Sequence, residues 1–169
     1  MALVGSTRAR KGLAATVVLG ALAACEPSVD PSSAPVAAAT AAPRVAPFDP
    51  GPVRTAAEYL ADPKFASANS SRGQLLSFAC AACHTLDAGG GTLVGPNLHG
   101  VFGRPAASVA GFDYSPALAS SGLVWTPVSL EAWLNEPGSF VAGTKMAFTG
   151  YRSPDDRRDL IAYLLHATE

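Results

Sequence analysis

Two cysteines and a histidine lie close together near the middle of the chain. Cys80, Cys83 and His84 form a CxxCH pattern, which is typical of covalent attachment of a c-type haem. Residues three and four apart share one face of a helix. The two thiols can therefore form thioether bonds at one edge of a haem while the adjacent imidazole turns toward the iron. This spacing predicts a single, covalently bound haem c.

Two other interpretations of the cysteine pair are a dithiol redox motif and half of a four-ligand zinc site. A zinc ribbon requires a second cysteine pair, and the only further cysteine in the chain is Cys25. A thioredoxin-like motif requires a βαβ context, which the glycine-rich segment after His84 does not provide. Both interpretations are therefore weaker than haem attachment.

An electron-transfer haem needs a second axial ligand, usually a methionine thioether or another imidazole. Met146 is the only methionine besides the initiator, and it lies in a glycine-containing loop rather than on an apolar helix face. The rivals are His99, in a loop, and His166, near a helix C-terminus, where a cation is favourable without any haem. We expect Met146 to be the ligand.

The elements that must position these groups are helices. Two segments begin with a good N-cap followed by proline, at Thr126 and at Ser153. The second continues with an apolar stripe at Leu160–Leu165, as expected for a helix that buries one face. A short helical turn is expected after Ser115, closed by Gly122.

The attachment motif closes a further predicted helix over 72–83. Helical spacing places five of its residues on one face, namely Leu75, Leu76, Ala79, Cys80 and Cys83. No segment alternates as a β-strand does, and the loops over 87–111 and 138–152 exceed the length of about 12 to 15 residues at which a loop usually has a function. We therefore predict an all-α fold of helices and long loops wrapped around one haem.

Residues 1–24 have the layout of a secretory signal, with basic residues, an apolar run at Leu13–Ala24 and small residues before Cys25. The run is shorter than the roughly 20 residues of a membrane-spanning helix. The sequence at Leu22–Cys25 resembles the lipobox of bacterial lipoproteins, which implies cleavage before Cys25 and acylation of that cysteine. The alternative is ordinary signal cleavage near Ala23, with Cys25 left as a free thiol. In both cases the protein is exported.

The rest of the chain divides by composition. Residues 26–55 contain seven prolines and seven alanines, which cannot bury enough apolar surface to fold, so we interpret 25–55 as a flexible tether. Twelve of the 13 aromatic residues lie in 56–169, which we predict to be the folded domain. The net charge of −1 provides no basic field for binding nucleic acid.

Six motifs of the domain together resemble the class I c-type cytochromes, in particular mitochondrial cytochrome c and its bacterial relatives. They are CAACHT at Cys80–Thr85, GPNLHGVFGR at Gly95–Arg104, GFDYSPA at Gly111–Ala117, LVW at Leu123–Trp125, GTKMAF at Gly143–Phe148 and DLIAYL at Asp159–Leu164. The similarity covers about 73–169, nearly the whole predicted domain. It implies the small cytochrome c fold, whereas CxxCH alone indicates only haem.

The resemblance also implies roles for individual residues. His84 and Met146 match the axial ligands, and the carbonyl of Pro96 matches the acceptor of a hydrogen bond from His84. Phe148 matches the aromatic residue that shields the exposed haem edge. Four residues match positions that contact the haem propionates, namely Arg104, Tyr114, Trp125 and Thr144. A buried propionate needs such partners, since an unpaired buried carboxylate is costly.

Some positions depart from the family. Leu118 replaces an asparagine and Trp133 replaces a tyrosine on the methionine side of the haem. A more apolar surrounding disfavours the charged ferric form, so these exchanges predict a high reduction potential. The first helix lacks the family pattern Gly-x-x-x-aromatic, so the small residue that lets it cross the last helix near Tyr163 is not evident from the sequence.

The resemblance implies an electron carrier rather than an enzyme. Its donor would be a quinol-oxidising cytochrome bc complex, and its acceptor a terminal oxidase or a photosynthetic reaction centre. With the lipid anchor at Cys25, we expect a monomer on the periplasmic face of the inner membrane. The alternatives are a fixed electron-transfer haem subunit of a periplasmic dehydrogenase and, with an open iron position, a haem sensor or a peroxidase-like enzyme.

Overall fold

The computed structural model describes residues 48–169, which form a helical fold. The helices, in chain order, are α1 (Ala56–Leu60), α2 (Pro63–Ala66), α3 (Ser70–Ala81), α4 (Pro116–Ala119), α5 (Pro127–Asn135), α6 (Pro137–Phe140) and α7 (Pro154–Ala167). Across this described range there is no β-strand, and Pro105 and Val124 form one isolated antiparallel bridge. The predicted all-α fold is confirmed.

The two helix starts predicted from N-caps, at Thr126 and Ser153, and the helical turn expected after Ser115 are confirmed. In each, the side-chain oxygen of the capping residue accepts a hydrogen bond of 3.2–3.3 Å from the third helical N–H, at Thr126 in α5, Ser153 in α7 and Ser115 in α4. A proline occupies the first helical position every time. Proline costs nothing there, because that N–H has no partner within the helix.

Helix α3 differs from its prediction in its limits. It begins at Ser70, after Asn69, whose side-chain oxygen accepts the backbone N–H of Arg72 at 2.9 Å. It ends at Ala81, so that the second half of the CxxCH motif lies in the turn that follows the helix.

The predicted apolar face of α3 is wrong at Leu75 and Ala79, which are exposed. Adjacent residues of a helix lie about 100° apart, so one face cannot bury both Leu75 and Leu76. The face that packs on α7 carries Gly73, Leu76 and Ser77. Contact with α7, rather than the hydropathy of α3 itself, therefore decides which side of this helix is buried.

Gly73 is the residue at which α3 crosses α7. A Cβ atom added there would overlap the backbone carbonyl of Asp159 and lie 2.8 Å from the Cβ atom of Tyr163. Any larger residue would force the two helices apart. Gly73 is therefore the small residue that the sequence alone did not identify.

Three short helices, α1, α2 and α6, were not predicted. Helix α1 starts with a capping box, in which the side chains of Thr55 and Glu58 each accept the other's backbone N–H. Helix α2 starts at Pro63 after Asp62, whose side chain accepts the N–H of Lys64. These start signals are visible in the sequence, but four or five residues are too few to show apolar periodicity.

Residues 48–55, which the sequence assigned to the end of the tether, lie along the folded domain, and we call this segment the strap. The carbonyl of Pro50 accepts a hydrogen bond of 2.6 Å from the buried hydroxyl of Thr126. The carbonyl of Pro52 accepts one of 2.8 Å from the hydroxyl of Tyr59. The strap is thereby fastened to the start of α5 and to α1.

The aromatic ring of Phe48, the first residue of the strap, also packs on the domain. Phe48 meets Phe140 of α6 edge-on, with ring centroids 5.1 Å apart. Contacts with the helices thus begin eight residues before Ala56. The predicted signal, the lipidated cysteine and the remainder of the tether fall in 1–47, outside the described residues.

The apolar core is centred on α7. Leu160, Ile161 and Leu165 of this helix have no exposed surface, and α3 and α5 both pack against it. None of the helices in residues 48–169 is both long enough and apolar enough to span a bilayer.

The long loop between α3 and α4 is held against the rest of the fold by backbone hydrogen bonds. The N–H of Gly100 donates to the carbonyl of Thr168 at 2.5 Å, and the N–H of Gly103 donates to the carbonyl of Trp125 at 2.7 Å. These bonds join the loop to the end of α7 and to the segment before α5. A third bond, from the N–H of Gly95 to the carbonyl of Cys83 at 2.8 Å, holds the loop beside the CxxCH motif.

Candidate haem-binding site

The CxxCH motif forms the end of α3 and the turn that follows it. Cys80 lies in the last turn of the helix, and its carbonyl accepts the N–H groups of Cys83 at 3.0 Å and His84 at 2.9 Å. This tight turn keeps the three residues together, as the sequence predicts. Both thiols are free of disulfide bonds, so both sulfurs are available for thioether formation.

The Cys80 thiol is largely buried. Burial, with a smaller contribution from the neighbouring Cys83, raises the pKa of Cys80 to about 11. Cys80 is therefore a neutral thiol at physiological pH in the polypeptide.

The imidazole of His84 has a defined tautomer. Its Nδ1 atom lies 2.6 Å from the carbonyl oxygen of Pro96, and a carbonyl can only accept a hydrogen bond. Nδ1 therefore carries the proton, and the lone pair of Nε2 remains available for a metal. Such a bond orients a ligating histidine and increases its basicity, and it is the contact expected from the resemblance.

Gly95 allows the loop to lie flat against that imidazole. A Cβ atom at Gly95 would overlap the ring, at 2.7 Å from Nδ1 and 2.8 Å from Nε2 of His84. The N–H of Gly95 donates to the carbonyl of Cys83 at 2.8 Å, which keeps the loop in place. Sequence reasoning missed this role, although a glycine directly before the expected acceptor Pro96 was the available signal.

A small polar network, also missed, fixes the loop around Pro96. The side-chain amide of Asn97 donates to the hydroxyl of Thr85 at 2.7 Å, and this hydroxyl donates to the carbonyl of Gly91 at 2.7 Å. The same amide donates to the carbonyl of Asp87 at 3.0 Å. The network closes the loop on itself, so Pro96 is held facing His84.

Arg104 lies near two of the three other expected propionate partners, Tyr114 and Trp125. The guanidinium of Arg104 donates to the carbonyls of His99 and Asn97, both at 3.0 Å. The backbone N–H of Trp125, whose side chain is buried, donates to the carbonyl of Arg104 at 2.9 Å. Burial lowers the pKa of Arg104 and raises that of Tyr114, and the two groups are close enough to interact electrostatically. A partly dehydrated cation beside a phenol is a suitable setting for a carboxylate.

Met146 lies in the loop between α6 and α7. It is half-buried, and its backbone N–H donates to the hydroxyl of Thr144 at 3.2 Å. Lys145 forms an ion pair of 2.5 Å with Asp113, next to Tyr114. The Met146 loop is thereby tied to the loop that carries one of the expected propionate partners.

The far end of the same loop returns to α3. Phe148 packs edge-on against Tyr151 with ring centroids 5.1 Å apart, and the hydroxyl of Tyr151 donates to the carbonyl of Leu76 in α3 at 2.9 Å. Burial raises the pKa of Tyr151, and Cys80 lies near enough to add to this effect. The Met146 loop therefore approaches the helix that bears the attachment cysteines.

The two rival histidines have local roles. The backbone of His99 binds Asn97 and Arg104, and the residue is half-buried. His166 is exposed in the last turn of α7, where a cation interacts favourably with the helix dipole. Neither position requires a metal to explain it.

Residues 70–168 match the protein family described as Cytochrome c. The chain belongs to the cytochrome c family. This match includes the CxxCH motif, the loop around Pro96 and the loop of Met146.

Individual cytochromes c are similar over much of their own length. Cytochrome c of Cochliobolus lunatus is 43% identical over 106 residues, which are 62% of this chain and 98% of that protein. Cytochrome c of Arabidopsis thaliana is 46% identical over 95 residues, or 56% of this chain and 85% of that protein. A cytochrome c homolog of Rickettsia felis is 45% identical over 98 residues, or 58% of this chain and 56% of that protein.

Members of the cytochrome c family carry covalently attached haem c and act as electron carriers rather than enzymes. The residues of this chain fit the group, because two free thiols lie beside an imidazole whose Nε2 is available and which Gly95 leaves unobstructed. The family assignment thus selects haem attachment over the dithiol and zinc interpretations. When bound, haem iron supplies a reversible one-electron change between its ferric and ferrous states.

Proposed function

We propose that this cytochrome c is a membrane-tethered carrier of single electrons, with His84 and Met146 as the axial ligands of its haem. The observation that carries the ligand proposal is the hydrogen bond of 2.6 Å between His84 and the carbonyl of Pro96. It leaves Nε2 as the only nitrogen of that ring that can donate to iron. Met146 complements it as a soft thioether ligand, which favours a high potential.

The remaining residues surround the cofactor in this proposal. Arg104, Tyr114, Trp125 and Thr144 neutralise or hydrogen-bond the propionates, and Phe148 limits access of water to the haem edge. The proximity of Arg104 to Tyr114 and to Trp125 supports this. A fully paired propionate stays ionised without a large energetic cost.

An optical redox titration of the full-length holoprotein tests the ligand set. We expect a single redox transition of one electron at high potential, and a ferric spectrum with the methionine-to-iron charge-transfer band. Met146→Ala should abolish that band and lower the potential, because a water or a harder ligand replaces the thioether. His99→Ala and His166→Ala serve as controls and should leave the spectrum unchanged. Loss of the band in either control, with Met146→Ala unaffected, would contradict the proposed ligand.

The proposed position of the carrier is the periplasmic face of the inner membrane. Its support is the predicted signal over 1–24 and the lipobox-like sequence ending at Cys25. By family resemblance, the donor is a quinol-oxidising cytochrome bc complex and the acceptor a terminal oxidase or a photosynthetic reaction centre. Fractionation of cells tests the anchor, since Cys25→Ser should release the holoprotein from membranes and remove the acyl groups from its mass.

A further inference from the structure

A groove is formed by α5, α6, one residue of α7 and the first residue of the strap. Its volume of about 580 Å³ lies within the roughly 300–1,000 Å³ of typical ligand sites. Its lining combines apolar and polar side chains, among them Phe48, Val128, Ala132, Phe140 and Arg157. We call it the strap groove.

The strap leads to this groove. The carbonyl of Pro50 lies at the start of α5, where it accepts the hydroxyl of Thr126 at 2.6 Å. Two residues earlier in the sequence, the ring of Phe48 meets Phe140 of α6, with ring centroids 5.1 Å apart. Followed toward its N-terminus, the chain therefore passes from the start of α5 to α6 and leaves the described range at a wall of the groove.

Arg157 provides the groove with a buried hydrogen-bond donor. The residue is 9% exposed, and its Nη1 donates to the side chain of Asn135 at 3.1 Å and to the carbonyls of Tyr151 and Arg152 at 2.7 and 2.8 Å. Among the described residues, its Nε–H is buried without a hydrogen-bond partner. Buried polar groups are nearly always hydrogen-bonded, so an acceptor oxygen brought into the groove would complete the bonding of this guanidinium.

The segment 43–47 has the chemistry that suits such a groove. Its sequence is PRVAP, and it directly precedes Phe48, outside the described residues. Proline-rich segments bind to aromatic-lined grooves as polyproline II helices, whose carbonyls have no partner within the helix. Because proline has no N–H, such a segment offers acceptors in excess of donors, which matches the unpartnered donor of Arg157.

The charge of the segment also suits the groove. Arg44 is the only charged residue in 31–48, and a polyproline-like chain at about 3.1 Å per residue places it about 12 Å before Phe48. The groove is also lined by Glu131 and Glu136, whose side chains are 27% and 41% exposed. Each carboxylate has one cationic partner within the domain and has lone pairs for a second.

We propose that residues 43–47 dock in the strap groove, where a backbone carbonyl accepts the Nε–H of Arg157 and the Arg44 cation lies near Glu131 and Glu136. Few contacts suffice for this, because a segment joined to its own binding site has a high effective concentration. With the proposed anchor at Cys25, docking shortens the free tether to 26–42. A shorter tether restricts the distance that the domain reaches from the membrane.

Trypsin cleavage after Arg44 tests the docking, because Arg44 is the only basic residue in 12–53. Full-length holoprotein with Cys25→Ser is used, so that no lipid holds molecules together. Ala132→Gln places a long polar side chain in the groove without a change of charge, and Ala119→Gln at an exposed position of α4 is the matched control. Mass spectrometry follows cleavage of the bond after Arg44, and the haem spectrum confirms that each variant is folded.

Cleavage of a segment that opens and closes rapidly follows its open fraction, so we expect cleavage about tenfold faster in Ala132→Gln and within about twofold of the unsubstituted rate in Ala119→Gln. The rates should not depend on protein concentration, since docking occurs within one molecule.

Three results would overturn the proposal. Equal rates in Ala132→Gln and the unsubstituted chain would show that the groove does not protect the segment. An equal acceleration in Ala119→Gln would show that the effect does not come from the groove. Protection that disappears on dilution, together with a dimer in sedimentation, would assign the groove to the segment of a second copy.

Discussion

A single backbone position, Gly95, decides how closely the loop after the attachment motif approaches the imidazole of His84. We predict that Gly95→Ala destabilises the holoprotein by about 1–3 kcal/mol, the usual range for a forced overlap in a packed site. The added Cβ must displace either the ring or the loop, and either movement weakens the bond to Pro96. Denaturant unfolding and the ferric spectrum measure the effect.

Gly91→Ala is the matched control for that substitution. A Cβ atom at Gly91 meets nothing within 4 Å, so its free energy of unfolding should remain within about 0.5 kcal/mol of the original. Equal stabilities of the two variants would show that the loop can retreat from His84 without loss.

Substitutions at Trp133 can test how the polarity of the haem surroundings affects the midpoint potential. Trp133 is 5% exposed and packs edge-on against Trp125 at 5.4 Å between ring centroids, and the buried Leu118 belongs to the same core. We predict that Trp133→Tyr lowers the midpoint potential relative to Trp133→Phe by on the order of 50 mV, since about 59 mV per electron is a tenfold change in equilibrium. The two variants differ by one hydroxyl, which favours the ferric charge. A tyrosine variant at or above the potential of the phenylalanine variant would refute this argument.

The site residues divide by whether their role depends on local or on tertiary structure. Cys80, Cys83 and His84 act through their spacing, so the sequence alone reveals them. The roles of Gly95 and Asn97 depend on tertiary contacts: Gly95 lies against His84, and Asn97 donates a hydrogen bond to Thr85. Their identities are visible in the sequence, but the contacts that explain them arise only when the loop has closed.

At the scale of elements, the crossing of α3 and α7 depends on Gly73. We predict that Gly73→Ala costs about 3 kcal/mol or more, because the added Cβ overlaps backbone of Asp159 rather than a flexible side chain. Thermal and denaturant unfolding of the holoprotein measure this cost. Gly138→Ala in α6 is the control, since its Cβ meets nothing within 4 Å and alanine suits a helix better than glycine. A small loss at Gly73 would mean that the two helices can separate slightly without penalty.

The strap holds the chain that precedes α1 in a fixed position beside α5 and α6. We predict that Tyr59→Phe loosens it and costs about 1 kcal/mol, because the hydroxyl of Tyr59 donates to Pro52 at 2.8 Å and accepts the N–H of Arg54 at 3.1 Å. Limited proteolysis within 48–55 and the free energy of unfolding report the change.

Tyr163→Phe is the control for the strap prediction. In the described part of the chain, the hydroxyl of Tyr163 makes no hydrogen bond. The Cβ atom of Tyr163 packs against Gly73, and the phenylalanine variant retains this atom. Its cleavage pattern over the strap should match that of the unsubstituted protein. Equal protection of the strap in both variants would show that Phe48 and Thr126 suffice to hold it.

The helices show the same limit on prediction as the site. N-caps and prolines locate α4, α5 and α7, because these signals act within one turn. The predicted buried face of α3 is wrong at Leu75, because Leu75 and Leu76 are equally apolar and only packing against α7 decides which of them is buried. By composition the strap resembles a flexible segment, so the sequence alone places it in the tether. The residues that hold it in place, Tyr59 and Thr126, lie outside it in the sequence.

At the scale of the whole molecule, charge is both sparse and locally neutralised. Residues 48–169 contain eight basic and eleven acidic residues, a formal net charge of −3. Five of the eight basic side chains form ion pairs within the domain, namely Lys64, Arg72, Lys145, Arg152 and Arg158. Little positive field remains to steer the protein toward an acidic partner.

A tether can replace electrostatic steering in such a molecule, because confinement to the partner's membrane raises the effective concentration. We predict that oxidation of the full-length holoprotein by its own membranes changes less than about threefold when salt rises from about 0.01 to 0.1 M, where the screening length falls from about 30 to about 10 Å. Steered associations change by roughly tenfold to a thousandfold. The Cys25→Ser chain, measured in parallel, should be equally insensitive to salt but should react in proportion to its bulk concentration. A steep fall with salt in both chains would mean that charged contacts guide docking despite the ion pairs within the domain, whereas a fall in the tethered chain alone would mean that the tether itself binds the membrane through charge.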